Sequence, residues 1–341
     1  MVKKVLVTGG AGYIGSHTVV ELFRSGYEPL ILDDYRNSEA SVIGRIEQIT
    51  GKAPEVILGD VCDEDLVNEI FQNHKLSGVI HFAAYKAVGE SVEKPLKYYS
   101  NNISGLLSIL KPICEMGNIP FVFSSSCTVY GEPQGLKEVN EQTPRSIPTS
   151  PYGYTKWLGE QIIRDAFLAQ KELRLMNLRY FNPIGAHPSG LIGELPIGKP
   201  NNLVPFITQT AAGIHKELVI FGNNYPTIDG TCVRDYIHVV DLAEAHVKAI
   251  DYLLLQQKGC RETVNIGTGT GTSVLELVNT FKDENKIDLK FSFGPERPGD
   301  VIEIFANVNY AKSLLGWTSK NDTRDAVRDA WNWEKSIRNI K

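Results

Sequence analysis

The sequence lacks the features that mark membrane spans, nucleic-acid binders and secreted precursors. No stretch approaches the roughly 18–20 uninterrupted apolar residues that a membrane span requires. The formal net charge is −5 and no basic cluster occurs, which argues against nucleic acid as a partner. The first apolar stretch is short and lacks a cleavable small-residue site, so we expect no signal peptide.

Cysteine is scarce and poorly placed for pairing. The five cysteines are odd in number and widely spaced, and no Cys-x-x-Cys motif occurs. The sequence therefore predicts neither a disulfide framework nor a metal site. Thiols of this kind fit a reducing compartment, and we expect a cytoplasmic protein.

The remaining composition is that of an ordinary globular protein. Short apolar stretches, typical of strands, alternate with stretches of helical periodicity. The chain has 341 residues, of which 42% are hydrophobic. Strands are predicted at residues 3–8, 28–32, 56–59, 78–82, 121–123 and 173–180. Repeated strand–helix units predict an α/β fold with a doubly wound parallel sheet of the Rossmann type. Ligands of such sheets bind beyond the carboxyl ends of the strands.

The regular alternation stops near residue 180. From 181 to 234, glycine, proline and asparagine predominate, which indicates loops with short elements. We therefore predict a cofactor-binding domain over residues 1–180, rejoined by about 235–266, and a smaller C-terminal substrate-binding lobe over 181–341. Residues 193–199 mimic a triphosphate-binding loop, but no strand precedes them and proline follows, so we reject that motif.

A glycine-rich loop follows the first predicted strand. Its glycines can be taken as Gly10, Gly12 and Gly15 or as Gly9, Gly12 and Gly15, and helical periodicity begins at Ser16. A strand, a glycine loop and a helix form the context of a dinucleotide fingerprint, with the pyrophosphate at the helix N-terminus. The glycines alone also allow an ordinary turn.

Asp33 ends the second predicted strand. It follows Gly15 at close to the roughly 20-residue spacing of the acid that binds the adenosine ribose. A carboxylate here accepts hydrogen bonds from the ribose hydroxyls and repels a 2′-phosphate, which favours NAD over NADP. Arg36 could accommodate such a phosphate, but the adjacent acids Asp33 and Asp34 outweigh it.

The stretch from Ser150 to Lys156 is the second functional motif. Serine followed by proline predicts a helix start, and Tyr152 and Lys156 then share one helix face. A nearby ammonium group lowers the pKa of a phenol, which allows it to act as a base. An isolated Tyr-x-x-x-Lys is more often a surface pair. Here, however, the sheet brings Ser126 to the same place, beside the nicotinamide end of a cofactor.

Two arginines are candidates for a substrate diphosphate. Arg234 and Arg297 lie in loops bounded by glycine and proline, and guanidinium groups match phosphate oxygens. Simple solvation explains an exposed arginine equally well on sequence alone.

Together these motifs resemble the UDP-glucose 4-epimerases of the extended short-chain dehydrogenase/reductase superfamily, essentially end to end. The glycine loop and Tyr-x-x-x-Lys occur across the superfamily. The segments 86–91 (KAVGES), 186–190 (AHPSG) and 234–238 (RDYIH) are more particular to this family.

The resemblance implies interconversion of UDP-glucose and UDP-galactose on tightly held NAD, as part of galactose metabolism. Tyr152, as phenolate, would take the 4-hydroxyl proton while a hydride passes from C4 to the nicotinamide. Lys156 would hold the ribose hydroxyls and lower the tyrosine pKa, and Ser126 would relay the proton. The keto sugar would then turn over and take the hydride back.

The resemblance also implies the binding residues. For NAD these are Gly9, Gly12, Tyr13, Ile14, Gly15, Asp33, Asn37, Asp60, Val61, Phe82, Ala83, Lys86, Asn101, Ser126, Tyr152, Lys156 and Phe181. For the UDP-hexose they are Lys86, Ser126, Tyr152, Asn182, Asn202, Leu203, Phe221, Arg234, Arg297, Asp300 and Ile304. Family members are commonly homodimers, here through helices 95–116 and 151–169.

Ile304 bears on substrate range. In the family, a large residue at this position excludes 2-N-acetyl groups and a small one admits them. Isoleucine is intermediate, which predicts some activity on UDP-N-acetyl sugars.

Two other functions fit parts of the pattern. A nucleotide-sugar 4,6-dehydratase shares the fold, NAD and the Tyr/Lys pair, but needs a carboxylic acid pair beside the serine or threonine, where this chain has Cys127 and Thr128. A cofactor-sensing regulator would bind NAD without turnover and would tolerate loss of Tyr152 or Lys156, yet both residues are present.

Overall fold

The computed structural model describes residues 3–133, 135–297 and 300–340. Its strands are β1 Lys4–Thr8, β2 Glu28–Asp33, β3 Glu55–Leu58, β4 Leu76–His81, β5 Phe121–Ser126, β6 Glu138–Val139, β7 Arg174–Tyr180, β8 Asn182–Ile184, β9 Leu218–Phe221, β10 Val233–Arg234, β11 Tyr236–His238, β12 Cys260–Ile266, β13 Thr272–Ser273, β14 Phe291–Gly294 and β15 Glu303–Ala306. Its helices are α1 Tyr13–Arg24, α2 Ser41–Thr50, α3 Glu64–Asn73, α4 Val88–Glu93, α5 Pro95–Met116, α6 Pro151–Ala169, α7 Leu203–Ala211, α8 Val239–Leu255, α9 Val274–Asn285, α10 Asn309–Leu315 and α11 Thr323–Arg338, with a 3₁₀ turn at Cys127–Tyr130.

The central sheet has seven parallel strands in the order β12-β7-β5-β4-β1-β2-β3. The predicted α/β doubly wound sheet is therefore confirmed. The chain moves outward from β1 to β3, then crosses back to β4 and continues in the opposite direction. This change of direction between β1 and β4 opens a crevice at the carboxyl edge, where such sheets bind ligands.

Both faces of the sheet are covered by apolar side chains. Because successive strand residues point to opposite faces, Val5 and Val7 of β1 pack in one layer and Leu6 packs in the other. The first layer is covered by α1 and α8, and the second by α3, α5 and α6. Burial on both faces explains why these strands are continuous apolar runs.

The C-terminal part has its own apolar core and small sheets. Helices α7, α9 and α11 pack together around Phe281 and Trp331. A four-stranded sheet has the order β13-β10-β15-β6, and β11 pairs with β8 in a separate two-stranded sheet. The stretch that looks like a regular strand from residue 235 is thus β11, outside the main sheet, whereas β12 pairs with β7 as its seventh strand.

Helix α6 begins where its sequence predicts. The Ser150 side chain accepts a hydrogen bond from the Gly153 amide, and Pro151 occupies the first turn. Within the described part of the chain, no helix is both long and apolar enough to cross a membrane.

Candidate active site

The loop between β1 and α1 can follow its path only with glycine at two positions. Gly9 has φ +70, and a Cβ atom on Gly15 would lie 2.2 Å from the Gly9 carbonyl oxygen. Gly12 is the N-cap of α1, which has no side-chain cap and no acidic residue in its first turn. The free amides and the positive end of the helix dipole fit a pyrophosphate.

The carboxylate of Asp33 fixes this loop to the end of β2. Its Oδ2 accepts a hydrogen bond from the Ala11 amide at 2.9 Å, and its Oδ1 accepts from the Tyr35 amide and the Ser38 hydroxyl. These bonds occupy three of the roughly four acceptor positions of the carboxylate, so Oδ2 can still accept a hydrogen bond from a ribose hydroxyl. The loop and the acid together fit the adenosine side of a dinucleotide.

The Lys156 ammonium group is buried under the end of β5. It donates to the Ser124 carbonyl at 2.7 Å and to the Ser124 hydroxyl at 3.1 Å, and its side chain is 4% exposed. Burial lowers the pKa of Lys156 to about 7. The lysine can therefore exist in either protonation state near neutral pH.

Tyr152, one turn earlier, points its phenol toward Ser126. Burial raises the pKa of Tyr152 to about 12, and the hydrogen bond with Ser126 acts in the opposite direction. Burial is the largest cause of both pKa shifts, and the ammonium group of Lys156 is directed at Ser124. The lowering of the tyrosine pKa by Lys156 stays a prediction. The side chains alone keep the phenol protonated.

Two cations and a carboxylate meet on the substrate side. Arg297 Nε lies 3.0 Å from Asp300, and Arg234 Nη2 lies 3.7 Å from the same carboxyl group. The Arg297 guanidinium also lies 5.2 Å from the ring centroid of Phe221, which is 42% exposed. Ile304 is the register partner of Arg234 across β10 and β15 and is buried. These predicted substrate residues therefore lie together.

A second charged cluster joins the two parts of the chain. Glu194 accepts from Lys86 Nζ at 2.7 Å and from Asn202 Nδ2 at 2.6 Å. Sequence reasoning missed Glu194, because residues 193–199 were set aside as a false triphosphate loop. A carboxylate between two predicted ligand-binding residues can hold both in position for a substrate.

The remaining predicted residues occupy the ends of elements around the crevice. Tyr13 and Ile14 begin α1, and the Tyr13 hydroxyl donates to the Gly185 carbonyl at 2.7 Å. The others follow β2 (Asn37), β3 (Asp60, Val61), β4 (Phe82, Ala83) and β7 (Phe181), lie on α5 (Asn101) and β8 (Asn182), or begin α7 (Leu203).

A buried ion pair supports helix α6, and sequence reasoning missed it too. Glu160, one turn beyond Lys156, accepts two hydrogen bonds from Arg179 at 2.8 and 2.7 Å and one from Ser125 at 2.6 Å. Because Ser125 precedes Ser126, this pair fixes α6 against β5 beside the site. The available signal was Glu160 on the same helix face as Tyr152 and Lys156.

No group of three or more His, Cys, Asp or Glu side chains in the described residues is arranged to hold a metal ion. His81 lies in β4 and is fully buried, and its Nδ1 is 2.8 Å from the Thr8 hydroxyl. At the end of β5, the Tyr152 phenol and the Lys156 ammonium group lie beside the serines of that strand. With a dinucleotide cradle, they define an NAD-binding enzyme of the extended short-chain dehydrogenase/reductase class.

Comparison with known proteins agrees with this class. The family model for GDP-mannose 4,6 dehydratase matches residues 6–330. A UDP-glucose 4-epimerase of Bacillus subtilis is 49% identical, with 97% of each chain covered, and one of Dictyostelium discoideum is 48% identical, covering 97% of this chain and 95% of the relative.

Solved structures agree over the whole chain. The UDP-glucose-4-epimerase of Stenotrophomonas maltophila, with bound NAD and formylated UDP-arabinopyranose, has a TM-score of 0.95 at 45% identity, covering 99% of this chain and 100% of that one. That of Bifidobacterium longum, in complex with NAD+ and UDP, has a TM-score of 0.94 at 43% identity and the same coverage. The chain belongs to the UDP-glucose 4-epimerase family.

Proposed function

We propose that this chain interconverts UDP-glucose and UDP-galactose by transient oxidation of the sugar at C4 on bound NAD. The observation that carries the proposal is the surroundings of the Tyr152 hydroxyl. The 3₁₀ turn that follows Ser126 consists of Cys127, Thr128, Val129 and Tyr130, none of which carries a carboxyl group. This turn therefore lacks the carboxylic acid pair that a dehydratase needs beside the serine.

Asp235, an acid close to Cys127 in the fold, already accepts hydrogen bonds from backbone donors. Asp235 lies close enough to raise the pKa of the Cys127 thiol, yet its carboxylate accepts hydrogen bonds from the amides of Thr268, Gly269 and Ala306. It serves as a structural acceptor for backbone donors. This assignment favours epimerisation over the dehydration named by the matching family model.

Each of the three proposed catalytic residues has its own role in the reaction at C4. NAD, when bound, supplies a hydride acceptor and a positive charge beside the phenol. Tyr152 takes the proton of the 4-hydroxyl, Ser126 orients the 4-oxygen by hydrogen bonding, and Lys156 holds the ribose hydroxyls. A cationic neighbour lowers a phenol pKa, which offsets the rise caused by burial.

The substrate lobe holds the nucleotide while the sugar turns. Arg234 and Arg297 would bind the diphosphate, since guanidinium groups match phosphate oxygens. Asp300 forms ion pairs with both arginines, so the two cations lie close together before the phosphates bind. The keto sugar can then rotate about the diphosphate and present its other face to the same cofactor.

Incubation of the purified protein with UDP-galactose tests the proposal. We expect UDP-glucose, with no net consumption of NAD. A 4-keto-6-deoxy sugar product would instead show a dehydratase, and bound NAD without any turnover would show a regulator.

The second proposal is activity on UDP-N-acetylglucosamine and UDP-N-acetylgalactosamine. Ile304 packs with Phe181 and Cys127 in one apolar cluster beside the site. An isoleucine leaves more room there than a tyrosine. Turnover of UDP-N-acetylglucosamine should fall in Ile304→Tyr while turnover of UDP-glucose is kept; equal turnover of the acetylated sugar by both proteins would contradict this proposal.

Assembly and location complete the proposal. We propose a homodimer through α5 and α6, because Leu96, Leu107 and Met116 on α5 and Leu168 on α6 are exposed. Light scattering should give twice the chain mass.

A cytoplasmic location is supported by the five free thiols. We also propose that NAD is bound by residues 1–180 together with about 235–266, and that the substrate is bound by the lobe at 181–341.

A further inference from the structure

Arg36 links the carboxyl ends of three strands of the main sheet. Its guanidinium lies 2.5 Å from a carboxylate oxygen of Asp34, which follows β2, and 2.5 Å from one of Asp60, which follows β3. Its Nη1 lies 3.2 Å from the Tyr85 hydroxyl, after β4, and 3.2 Å from the Asn101 side-chain oxygen on α5. One exposed side chain therefore crosses the crevice between these loops.

The order of the strands indicates which half of NAD would be held here. The free amides at the start of α1, beside β1, would hold the pyrophosphate, and Asp33 at the end of β2 would hold the adenosine ribose. Tyr152, the proposed proton acceptor, lies on the opposite side, toward β5. The residues that would hold the adenine therefore lie toward the end of β3. Arg36 and Asp60 are at that end.

We propose that Arg36 is an adenine-binding residue, whose guanidinium packs against the base of bound NAD and slows release of the cofactor. A guanidinium is planar and weakly hydrated, so it stacks readily on aromatic rings. That of Arg36 already lies 5.9 Å from the ring centroid of Tyr85. The inference rests on the proposed use of NAD.

The charges around Arg36 favour this role over recognition of a 2′-phosphate. Asp33, Asp34 and Asp60 bring three carboxylates to this edge, and Arg36 pairs with two of them. A phosphate would have to displace these carboxylates from the guanidinium and lie beside Asp33. An uncharged adenine can pack on the guanidinium plane while both ion pairs remain. The pairs also hold the plane in place, which reduces the conformational entropy lost on binding.

The test measures dissociation of labelled NAD from the loaded enzyme after a chase with unlabelled NAD. Loss of one such contact in Arg36→Ala should accelerate release roughly 5- to 30-fold. Arg36→Lys keeps the charge but loses the planar group, and should retain most of that acceleration. Lys52→Ala, which removes an exposed cation beyond the end of α2, should release NAD at the wild-type rate. Thermal unfolding of each variant checks that the fold is kept.

Equal or slower release of NAD from Arg36→Ala would overturn the inference. A variant whose affinity for NADP falls more than its affinity for NAD would also overturn it, since the guanidinium would then serve a 2′-phosphate. Failure of the wild-type protein to bind NAD at all would contradict the proposed function itself, before any variant is compared.

Discussion

The cofactor edge, formed by the loops after β1 to β4, and the proposed substrate lobe at residues 181–341 hold their candidate binding residues in different ways. At the cofactor edge the backbone does most of the work, through the tight path at Gly9 and Gly15 and the free amides that begin α1. In the substrate lobe the site consists of charged side chains paired with one another, such as Arg234 and Arg297 with Asp300.

The difference shows two ways to keep a site ready for an anionic ligand. Backbone amides at a helix start need no counter-ion, so the cradle at the cofactor edge keeps its shape without a partner. In the substrate lobe Asp300 holds together Arg297, whose side chain is 55% exposed, and Arg234, whose side chain is 15% exposed. An ion pair open to solvent, such as that of Arg297, contributes little stability, so the phosphates of a substrate can displace Asp300 from Arg297 at small cost.

The largest effect is expected at the phenol of Tyr152, which lies between the two regions. Tyr152→Phe removes the proton acceptor, so turnover of UDP-galactose should fall by roughly 10²–10⁴-fold, the usual contribution of a general base. Binding of both NAD and UDP should persist, because phenylalanine keeps the ring and the other predicted binding residues of both ligands are unchanged. Tyr154→Phe, on the same helix but 36% exposed, is the matched control and should keep full activity.

A backbone change should damage the cofactor edge alone. In Gly15→Ala the new Cβ would overlap the Gly9 carbonyl oxygen, so the loop must move from its phosphate position. NAD affinity should fall by about 100-fold, as expected for a displacement near 1 Å at a binding group, with UDP affinity unchanged by calorimetry. Gly44→Ala on α2, where a Cβ meets nothing within 4 Å, should leave both affinities intact. Loss of UDP affinity in Gly15→Ala would contradict the independence of NAD binding at the cofactor edge and UDP binding in the substrate lobe.

Lys156 should give the protein a distinct pH dependence of stability. Its pKa is lowered to about 7 in the folded protein, against an ordinary value near ~10.4 in the unfolded chain. Between these values the unfolded chain binds more protons, so stability rises with pH, by about 2 kcal/mol from pH 7 to pH 9. Urea unfolding of nucleotide-free protein measures it. The Lys156→Met variant should lack this rise in the free energy of unfolding between pH 7 and pH 9. A variant with the same rise as the wild-type protein would contradict its assignment to the buried lysine.

The smallest effect should be confined to sugar binding. Glu194→Gln keeps an oxygen acceptor for Lys86 and Asn202 but removes the charge, so KM for UDP-galactose should rise by about 2- to 5-fold. Steady-state kinetics should show kcat nearly unchanged. Glu132→Gln, at an exposed site, is the control. A large loss of kcat would place Glu194 in the chemistry instead.

How far the sequence could predict the molecule differs between the same two regions. The parallel sheet and the ends of α5 and α6 followed from periodicity, from Ser150 and Pro151, and from glycine spacing, which are local signals. The pairing of β11 with β8 and the Lys86–Glu194 contact join residues far apart in the chain. No local pattern specifies such contacts.

The pKa values show the same limit at the catalytic pair. The spacing of Tyr152 and Lys156 correctly predicts one helix face. It cannot predict that Lys156 donates to Ser124 or that burial dominates both groups. Those facts depend on how deeply β5 and α6 bury the pair, and depth is a property of the packed structure.

The central claim is that the hydrogen removed from C4 returns to C4 within one closed site. Incubation with UDP-galactose deuterated at C4, followed by NMR of the product, tests it directly. The account predicts UDP-glucose that keeps its deuterium at C4. Loss of the label to water, or its appearance at C6 of a 4-keto-6-deoxy sugar, would contradict it.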